Sequence, residues 1–121
     1  MASQTFGKAR RVRRSPEYQR AFQTGIRVQG RHFTLVMTPR EGMSRLGIVA
    51  SRKLGDAVSR NRAKRLIREL FRRSDAPTSG GADVVVIPRP SVFETPYAAL
   101  EIDFRATLRR GLSRLKADAA R

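Results

Sequence analysis

Three stretches of the chain place their apolar residues three and four positions apart, the spacing of an amphipathic helix. The clearest covers residues 57–73, and a short helix is predicted over residues 16–24, where Tyr18 and Phe22 lie one turn apart. A last helix is predicted from residue 95 onward, because a Thr-Pro pair precedes a periodic apolar pattern. The inner positions of the two longer helices are Ala63, Leu66, Ile67, Leu70 and Phe71 in one, and Tyr97, Leu100, Phe104, Leu108 and Leu115 in the other.

Between the helices the pattern changes to alternation or to unbroken apolar runs, both typical of strands. Residues 26–38 alternate, with apolar side chains at every second position from Phe33 to Met37. Residues 46–50 form a second candidate strand, and the turn-forming residues between the two predict an antiparallel hairpin. Residues 83–87 are apolar in succession, which predicts a third strand buried on both faces.

The resulting order, α-β-β-α-β-α, predicts an α+β fold, a two-layer sandwich whose sheet is flanked by helices. The chain has 121 residues, enough for one domain. We assign residues 1–14 to a basic N-terminal arm, residues 15–116 to the single domain and residues 117–121 to a C-terminal tail.

The charge balance narrows the class of partner. Lys and Arg number 26 against 10 Asp and Glu, a net charge of +16, and 22 of the cations are Arg. Arginine grips phosphate with two parallel hydrogen bonds and stacks on bases, so a nucleic acid is favoured over a membrane surface or an acidic protein. The chain has neither an apolar run of membrane-spanning length nor an N-terminal signal-peptide pattern, so we expect a soluble cytoplasmic protein.

Protein-borne catalysis finds little support in the sequence. There is no Cys, which excludes disulfides and thiolate chemistry, and the single His32 has no evident nucleophile partner. The ten carboxylates are scattered, and no predicted helix presents a metal-binding set, so no metal or catalytic residue is predicted on the chain.

The strongest signal is a run of seven cations and one acid between Arg60 and Arg73. So many like charges on four helical turns repel one another unless phosphates offset them. Six phosphate contacts would give a salt slope of roughly −4 to −5. Asn61, between two arginines, is suited to hold a base edge, a 2′-hydroxyl or a hydrated metal ion, or it is an exposed amide or a second cap.

Residues 55–69, with Arg60-Asn61-Arg62 at their centre, closely resemble the signature helix of the bacterial ribonuclease P protein component. The resemblance extends over residues 8–115: a basic arm, a Ser-x-x-Tyr-x-x-x-Phe helix and a strand at residues 31–33 all fit it. It implies the protein subunit of a ribonucleoprotein endonuclease, in which a catalytic RNA and Mg²⁺ remove the 5′ leader of precursor tRNA. The protein would lower the Mg²⁺ requirement and bind the leader. The resemblance also implies a central cleft and a left-handed crossover.

Two RNA-binding surfaces follow from the resemblance, on a protein expected to be monomeric and present in one copy per catalytic RNA. The signature helix would face the catalytic RNA through Arg60, Asn61, Arg62, Lys64, Arg65 and Arg68. The cleft between the first helix and the sheet would hold the single-stranded leader through Tyr18, Phe22 and Phe33, with Arg11, Arg13, Arg14, Arg31 and Lys53 at its edges. Tyr18, Phe22 and Phe33 are equally compatible with a place in the hydrophobic core, and exposure of their rings decides between the two interpretations.

The sequence departs from the family pattern at two positions. Asp56 stands where Asn is common, and it either caps the signature helix or attracts a metal ion. Val36 replaces an aromatic residue found in some members, so base stacking in the cleft is expected to be thinner. A ribosomal or other structural RNA-binding protein fits the composition equally well, and a stand-alone nuclease or a DNA-binding protein fits less well.

Overall fold

The computed structural model describes residues 15–77 and 80–119, except the side chains of residues 15 and 17, and has a mixed α+β fold. The helices are α1 (Ser15–Thr24), α2 (Ala57–Arg72) and α3 (Tyr97–Ala119). The strands are β1 (Ile26–Gln29), β2 (Phe33–Pro39), β3 (Arg45–Ile48) and β4 (Ala82–Pro88). Short 3-10 turns at Arg52–Leu54 and Pro90–Phe93 precede α2 and α3. The predicted α+β fold is therefore confirmed.

The four strands form one sheet in the order β1-β2-β4-β3. β2 pairs antiparallel with β1 and with β4, whereas β3 pairs parallel with β4. The predicted hairpin between β2 and β3 is therefore wrong, because β4 lies between them. The apolar sequence of β4 is buried on both faces as predicted, and a strand of this kind lies inside a sheet, with a neighbour on each edge.

The alternating stretch predicted as one strand over residues 26–38 is divided into β1 and β2 by a tight turn. The carboxylate of Asp103, on α3, accepts the backbone N–H groups of Arg31 and His32, each at 2.9 Å. A Cβ on Gly30 would lie 2.4 Å from the Thr107 hydroxyl, so the close approach of α3 requires glycine there. A helix about 70 residues farther along the chain thus fixes the turn, and local alternation cannot reveal it.

The main hydrophobic core lies between one face of the sheet and the helices α2 and α3. Phe33 and Phe104 meet at its centre edge to face, with ring centroids 5.6 Å apart. The predicted inner residues of both helices are confirmed: most are fully buried, and Leu66, Tyr97 and Leu115 pack against the core while partly exposed.

A smaller apolar cluster lies on the opposite face of the sheet, beneath α1. It is formed by Ala21 of α1, Val36 of β2 and Val85 of β4, all at most 1% exposed. Helices therefore flank the sheet on both faces, as predicted, but the elements form three layers rather than two, because α1 covers this second face among the described elements.

The longest helix, α3, continues to Ala119 and so passes residue 116, where the sequence analysis ends the domain. Its length would suffice to span a bilayer, but it carries charges along most of its turns. None of the described helices is both long and apolar enough to cross a membrane. The hand of the β3-α2-β4 connection stays a prediction.

Candidate nucleic-acid interface

The signature helix α2 begins at a well-formed cap. Gly55 has φ of +119°, a backbone conformation that glycine adopts readily and other residues rarely do. Asp56 follows, and its Oδ1 accepts the backbone N–H of Ser59 at 2.8 Å, which confirms it as the N-cap. This hydrogen bond is the main reason why the pKa of Asp56 is lowered.

Most side-chain cations of α2 form no hydrogen bond or ion pair with an acid among the described residues, although Arg60 attracts the N-cap carboxylate of Asp56 from beyond ion-pair distance. The helix contains a single acid, Glu69, whose carboxylate accepts hydrogen bonds from Arg72, at 2.6 Å, and from Arg73 just beyond the helix. The hydrogen bond from Arg72 is the first cause that lowers the pKa of Glu69. No hydrogen bond or ion pair within the described chain engages the side chains of the remaining cations, Arg60, Arg62, Lys64, Arg65 and Arg68. We call these five side chains the α2 cation surface.

The α2 cation surface wraps around the helix rather than forming one row. Arg62 and Lys64 are two residues apart, which places them about 200° apart around the axis, on opposite flanks. Asn61 and Arg65 are exposed between those flanks, opposite the buried stripe. Arg62 contacts an aromatic ring, with its Cζ 5.6 Å from the centre of Phe93. The arrangement is suited to a folded polyanion that contacts the helix from more than one side.

The second predicted surface lies along α1, which crosses the sheet. The Tyr18 hydroxyl accepts the backbone N–H of Ile48, in β3, at 3.3 Å, and the Tyr18 ring is partly buried. Phe22 is 39% exposed, and the guanidinium of Arg27, in β1, lies over its ring at 6.0 Å. Phe22 is thus a surface aromatic rather than a core residue. We call Tyr18, Phe22 and Arg27, with Val36 beneath α1, the α1 groove.

The structure contradicts one member of the predicted cleft. Phe33 is 0% exposed and packs against Phe104 on the other face of the sheet from α1, so its ring is closed to a base. The reason is the parity of β2: Phe33 shares a face with Leu35 and Met37, whereas Val36 points toward α1. The side chains at positions 33, 35 and 37 of β2 thus point into the main hydrophobic core, and that of Val36 points toward α1.

The basic residues predicted at the edges of the cleft are dispersed. Arg31 is exposed on the turn between β1 and β2, next to α3, and Lys53 is exposed in the 3-10 turn after β3. Arg11, Arg13 and Arg14 lie outside the described residues. The RNA contacts of these residues stay predictions.

Sequence reasoning missed three residues that shape these surfaces. Arg27 lies over Phe22, on the same face of the sheet as Val36, its partner in the β1–β2 register, and the sequence alone does not reveal this register. Arg89 donates to the carbonyl of Gly30 and to the Thr34 hydroxyl, tying the end of β4 to β2. The third is Phe93, beneath Arg62, and nothing in the local pattern around it indicates that contact.

The arginines of α3 differ from those of α2 because they are engaged. Arg105 donates to the carbonyl of Arg73 at 2.8 Å, and Arg109 forms an exposed ion pair with Asp75 at 3.3 Å. Arg110 and Arg114 donate to the carbonyls of Gln29 and Arg27, both in edge strand β1, at 2.8 Å each. Three of these arginines thus bind the backbone of other elements, and Arg109 forms only a surface ion pair.

No group of three or more His, Cys, Asp or Glu side chains comes together as a metal site in residues 15–77 and 80–119. Several carboxylates already have partners, among them the N-cap Asp56 and the turn-binding Asp103. Asp83 forms a two-pronged ion pair with Arg45, with both distances 2.8 Å.

Comparisons with known proteins agree on one family. The sequence profile of the ribonuclease P family matches residues 6–111. The chain is 40% identical over 92 residues to the ribonuclease P protein component of Halalkalibacterium halodurans, an alignment covering 74% of this chain and 77% of that protein. It is 36% identical over 116 residues to the corresponding protein of Thermotoga petrophila, covering 94% and 96%. The solved structure of the Thermotoga maritima ribonuclease P protein superposes with a TM-score of 0.73 at 32% identity, covering 83% of this chain and 96% of that one. The chain therefore belongs to the family of bacterial ribonuclease P protein components.

Proposed function

We propose that this protein binds the catalytic RNA of ribonuclease P through the α2 cation surface and assists removal of the 5′ leader from precursor tRNA. The observation that carries the proposal is the set of five cations on α2 that form no hydrogen bond or ion pair among the described residues, in a chain of +16 charge. Phosphates would relieve their mutual repulsion, and counterion release would make the binding strongly dependent on salt. We expect a monomeric protein that is present in one copy per catalytic RNA.

We further propose that the α1 groove holds the single-stranded leader. Exposed aromatic faces stack bases without regard to sequence, at about 1–3 kcal/mol per base, and nearby cations follow the phosphates. Phe22 offers such a face, and Arg27 lies beside it. Val36 is aliphatic and buried under α1, so the groove relies on fewer stacking rings than one with an aromatic residue there.

The cutting chemistry is assigned to the RNA, with Mg²⁺ held mainly by RNA. The donor set of the described chain supports this division, since its carboxylates are dispersed or engaged in caps, turns and ion pairs. Binding of the leader and neutralisation of phosphates by the protein would lower the Mg²⁺ concentration that the RNA requires.

Reconstitution tests the function as a whole. Protein is added to transcribed ribonuclease P RNA and precursor tRNA at low Mg²⁺, and cleavage at the mature 5′ end is measured. We expect cleavage only when both RNA and protein are present. Specific 5′ trimming by protein without the RNA would make this chain a nuclease in its own right, and no rise in cleavage over RNA alone would exclude the processing role.

The groove is tested separately, by comparing precursor with mature tRNA as ligand of the holoenzyme. Phe22→Ala should weaken precursor affinity about 5- to 100-fold, the loss of one stacked base, and leave mature tRNA binding unchanged. Ile102→Ala is the matched control, because Ile102 is an exposed apolar residue of α3, 72% accessible, away from the groove. An equal effect of both variants, or of Phe22→Ala on both ligands, would exclude the α1 groove as the leader site.

A further inference from the structure

The 3-10 turn that carries Phe93 is firmly attached to the rest of the fold. The backbone N–H of Arg89, just before the turn, donates to the carbonyl of His32 at 2.9 Å. Ser91 contacts the His32 ring at 2.8 Å through its hydroxyl, and its carbonyl accepts the Thr95 hydroxyl at 2.7 Å. Phe93 itself packs against the main hydrophobic core while part of its ring remains accessible. The ring is therefore a fixed platform.

Arg62 lies over this platform from the flank of α2. Its Cζ is 5.6 Å from the ring centre, within the range of a cation–π contact. The ring attracts the guanidinium charge through its π-face and offers no oxygen or nitrogen acceptor to the five N–H donors of the guanidinium. Within the described chain those donors have no hydrogen-bonded partner, and Arg62 is exposed. An arginine held in this way presents its donor fork to solvent in a restricted orientation.

We propose that Phe93 is a positioning residue for RNA binding, which orients the Arg62 guanidinium for a two-pronged contact with a phosphate of the catalytic RNA. The inference rests on the proposed function of the α2 cation surface. A long side chain loses rotamer freedom when it binds, and a side chain ordered beforehand loses less. Within residues 15–77 and 80–119 no aromatic ring lies against Lys64, on the opposite flank, so the inference concerns Arg62.

A double-mutant cycle tests the inference, with the dissociation constant for transcribed ribonuclease P RNA measured on the full-length protein. We expect Phe93→Leu to weaken binding about three- to tenfold, from the lost ordering of one long side chain, and to have no effect in an Arg62→Ala background. Phe93→Tyr keeps the ring face and should bind like the parent protein. Thermal unfolding checks the fold of each variant, and Phe93→Met offers a second ring-free replacement of similar volume should Leu unfold the turn.

The outcomes separate this inference from the function on which it rests. If Arg62→Ala weakens binding but neither Phe93→Leu nor Phe93→Met does, the positioning role is overturned while the α2 interface stands. Equal losses with and without Arg62 would also overturn it, because Phe93 would then act through general packing. If Arg62→Ala binds like the parent, Arg62 leaves the proposed interface and the inference falls with it.

Discussion

Helices α2 and α3 are both rich in arginine, yet they use it in opposite ways. On α2, five cations form no hydrogen bond or ion pair among the described residues, and the one acid of the helix is shared by Arg72 and Arg73. On α3, Arg105, Arg109, Arg110 and Arg114 each bond to a carboxylate or a carbonyl of another part of the fold. If α2 is the RNA-binding surface that we propose, the number of cations without internal partners is a better guide to such a surface than the total number of cations.

The largest expected effect comes from removing charge on α2. Replacing Arg60, Lys64, Arg65 and Arg68 with Ala should weaken binding of ribonuclease P RNA on the order of a hundredfold and lower the salt slope by about three units. Stability should not fall, because the change removes like-charge repulsion. Filter binding between low and moderate salt, with thermal unfolding alongside, measures both.

The control for this experiment is Arg109→Ala on α3, an arginine whose ion pair with Asp75 is exposed on both sides. It should leave RNA affinity and slope close to those of the parent, since surface ion pairs contribute little. If each cation removed from α2 and from α3 lowers the RNA affinity equally, RNA binding depends on net charge alone. The proposed difference between the two helices would then be wrong.

A smaller effect is expected at the two arginines that cover strand β1. Arg110→Ala combined with Arg114→Ala should lower the free energy of unfolding by about 1–2 kcal/mol, because two carbonyls of an edge strand lose charged donors. Urea unfolding measures this loss, and hydrogen exchange should show faster opening of β1. Undiminished stability with a flattened salt slope would place these residues in the RNA interface instead.

The smallest effect concerns the single acid of α2. Glu69→Gln should release Arg72 and Arg73 and strengthen RNA binding a few-fold, adding up to two phosphate contacts. The pKa of Glu69 is lowered from its ordinary 4.5, so the ionised form stabilises the fold above that pH, and the contribution is lost as pH falls through the lower folded value.

The variant should therefore show a shallower decline of stability with acidification, measured by unfolding at a series of pH values below 5. If stability declines with acidification equally in the variant and the parent, the ion pairs of Glu69 contribute nothing measurable to the free energy of unfolding. Unchanged RNA affinity would place Arg72 and Arg73 outside the interface.

The local sequence pattern was sufficient to predict the helices and strand β4. It was insufficient to predict turns and strand pairings that depend on residues far away in the sequence. The stripe from Ala63 to Phe71 and the cap at Asp56 are local features, and both are confirmed. The turn between β1 and β2 depends on Asp103, and the parallel partner of β3 is β4, beyond the whole of α2. Neither the contact of Asp103 with the turn nor the pairing of β3 with β4 can be predicted from the residues next to them in the sequence.

The candidate surfaces show the same limit. Phe22 and Phe33 are both phenylalanines within predicted elements. In the structure Phe22 is exposed beside Arg27, whereas Phe33 is buried against Phe104. The two rings differ in exposure because Phe22 lies on α1, on one face of the sheet, and Phe33 points to the other face, beneath α3. This arrangement is set by the tertiary structure. For the same reason the sequence could list the cations of α2 and α3 but could not show which were engaged.

The position of β4 between β2 and β3 has a consequence for how the molecule is made. β2 and β3 form no hydrogen bonds with each other, so the four-stranded sheet is incomplete until β4 has been synthesised. The ion pair between Arg45 and Asp83 joins residues that are 38 positions apart. Such long-range pairing slows folding, because loop closure precedes the stabilising contacts. During synthesis the cationic α2 emerges before β4 does. RNA that bound α2 at that stage would therefore bind a chain whose sheet still lacks its third strand in space, β4.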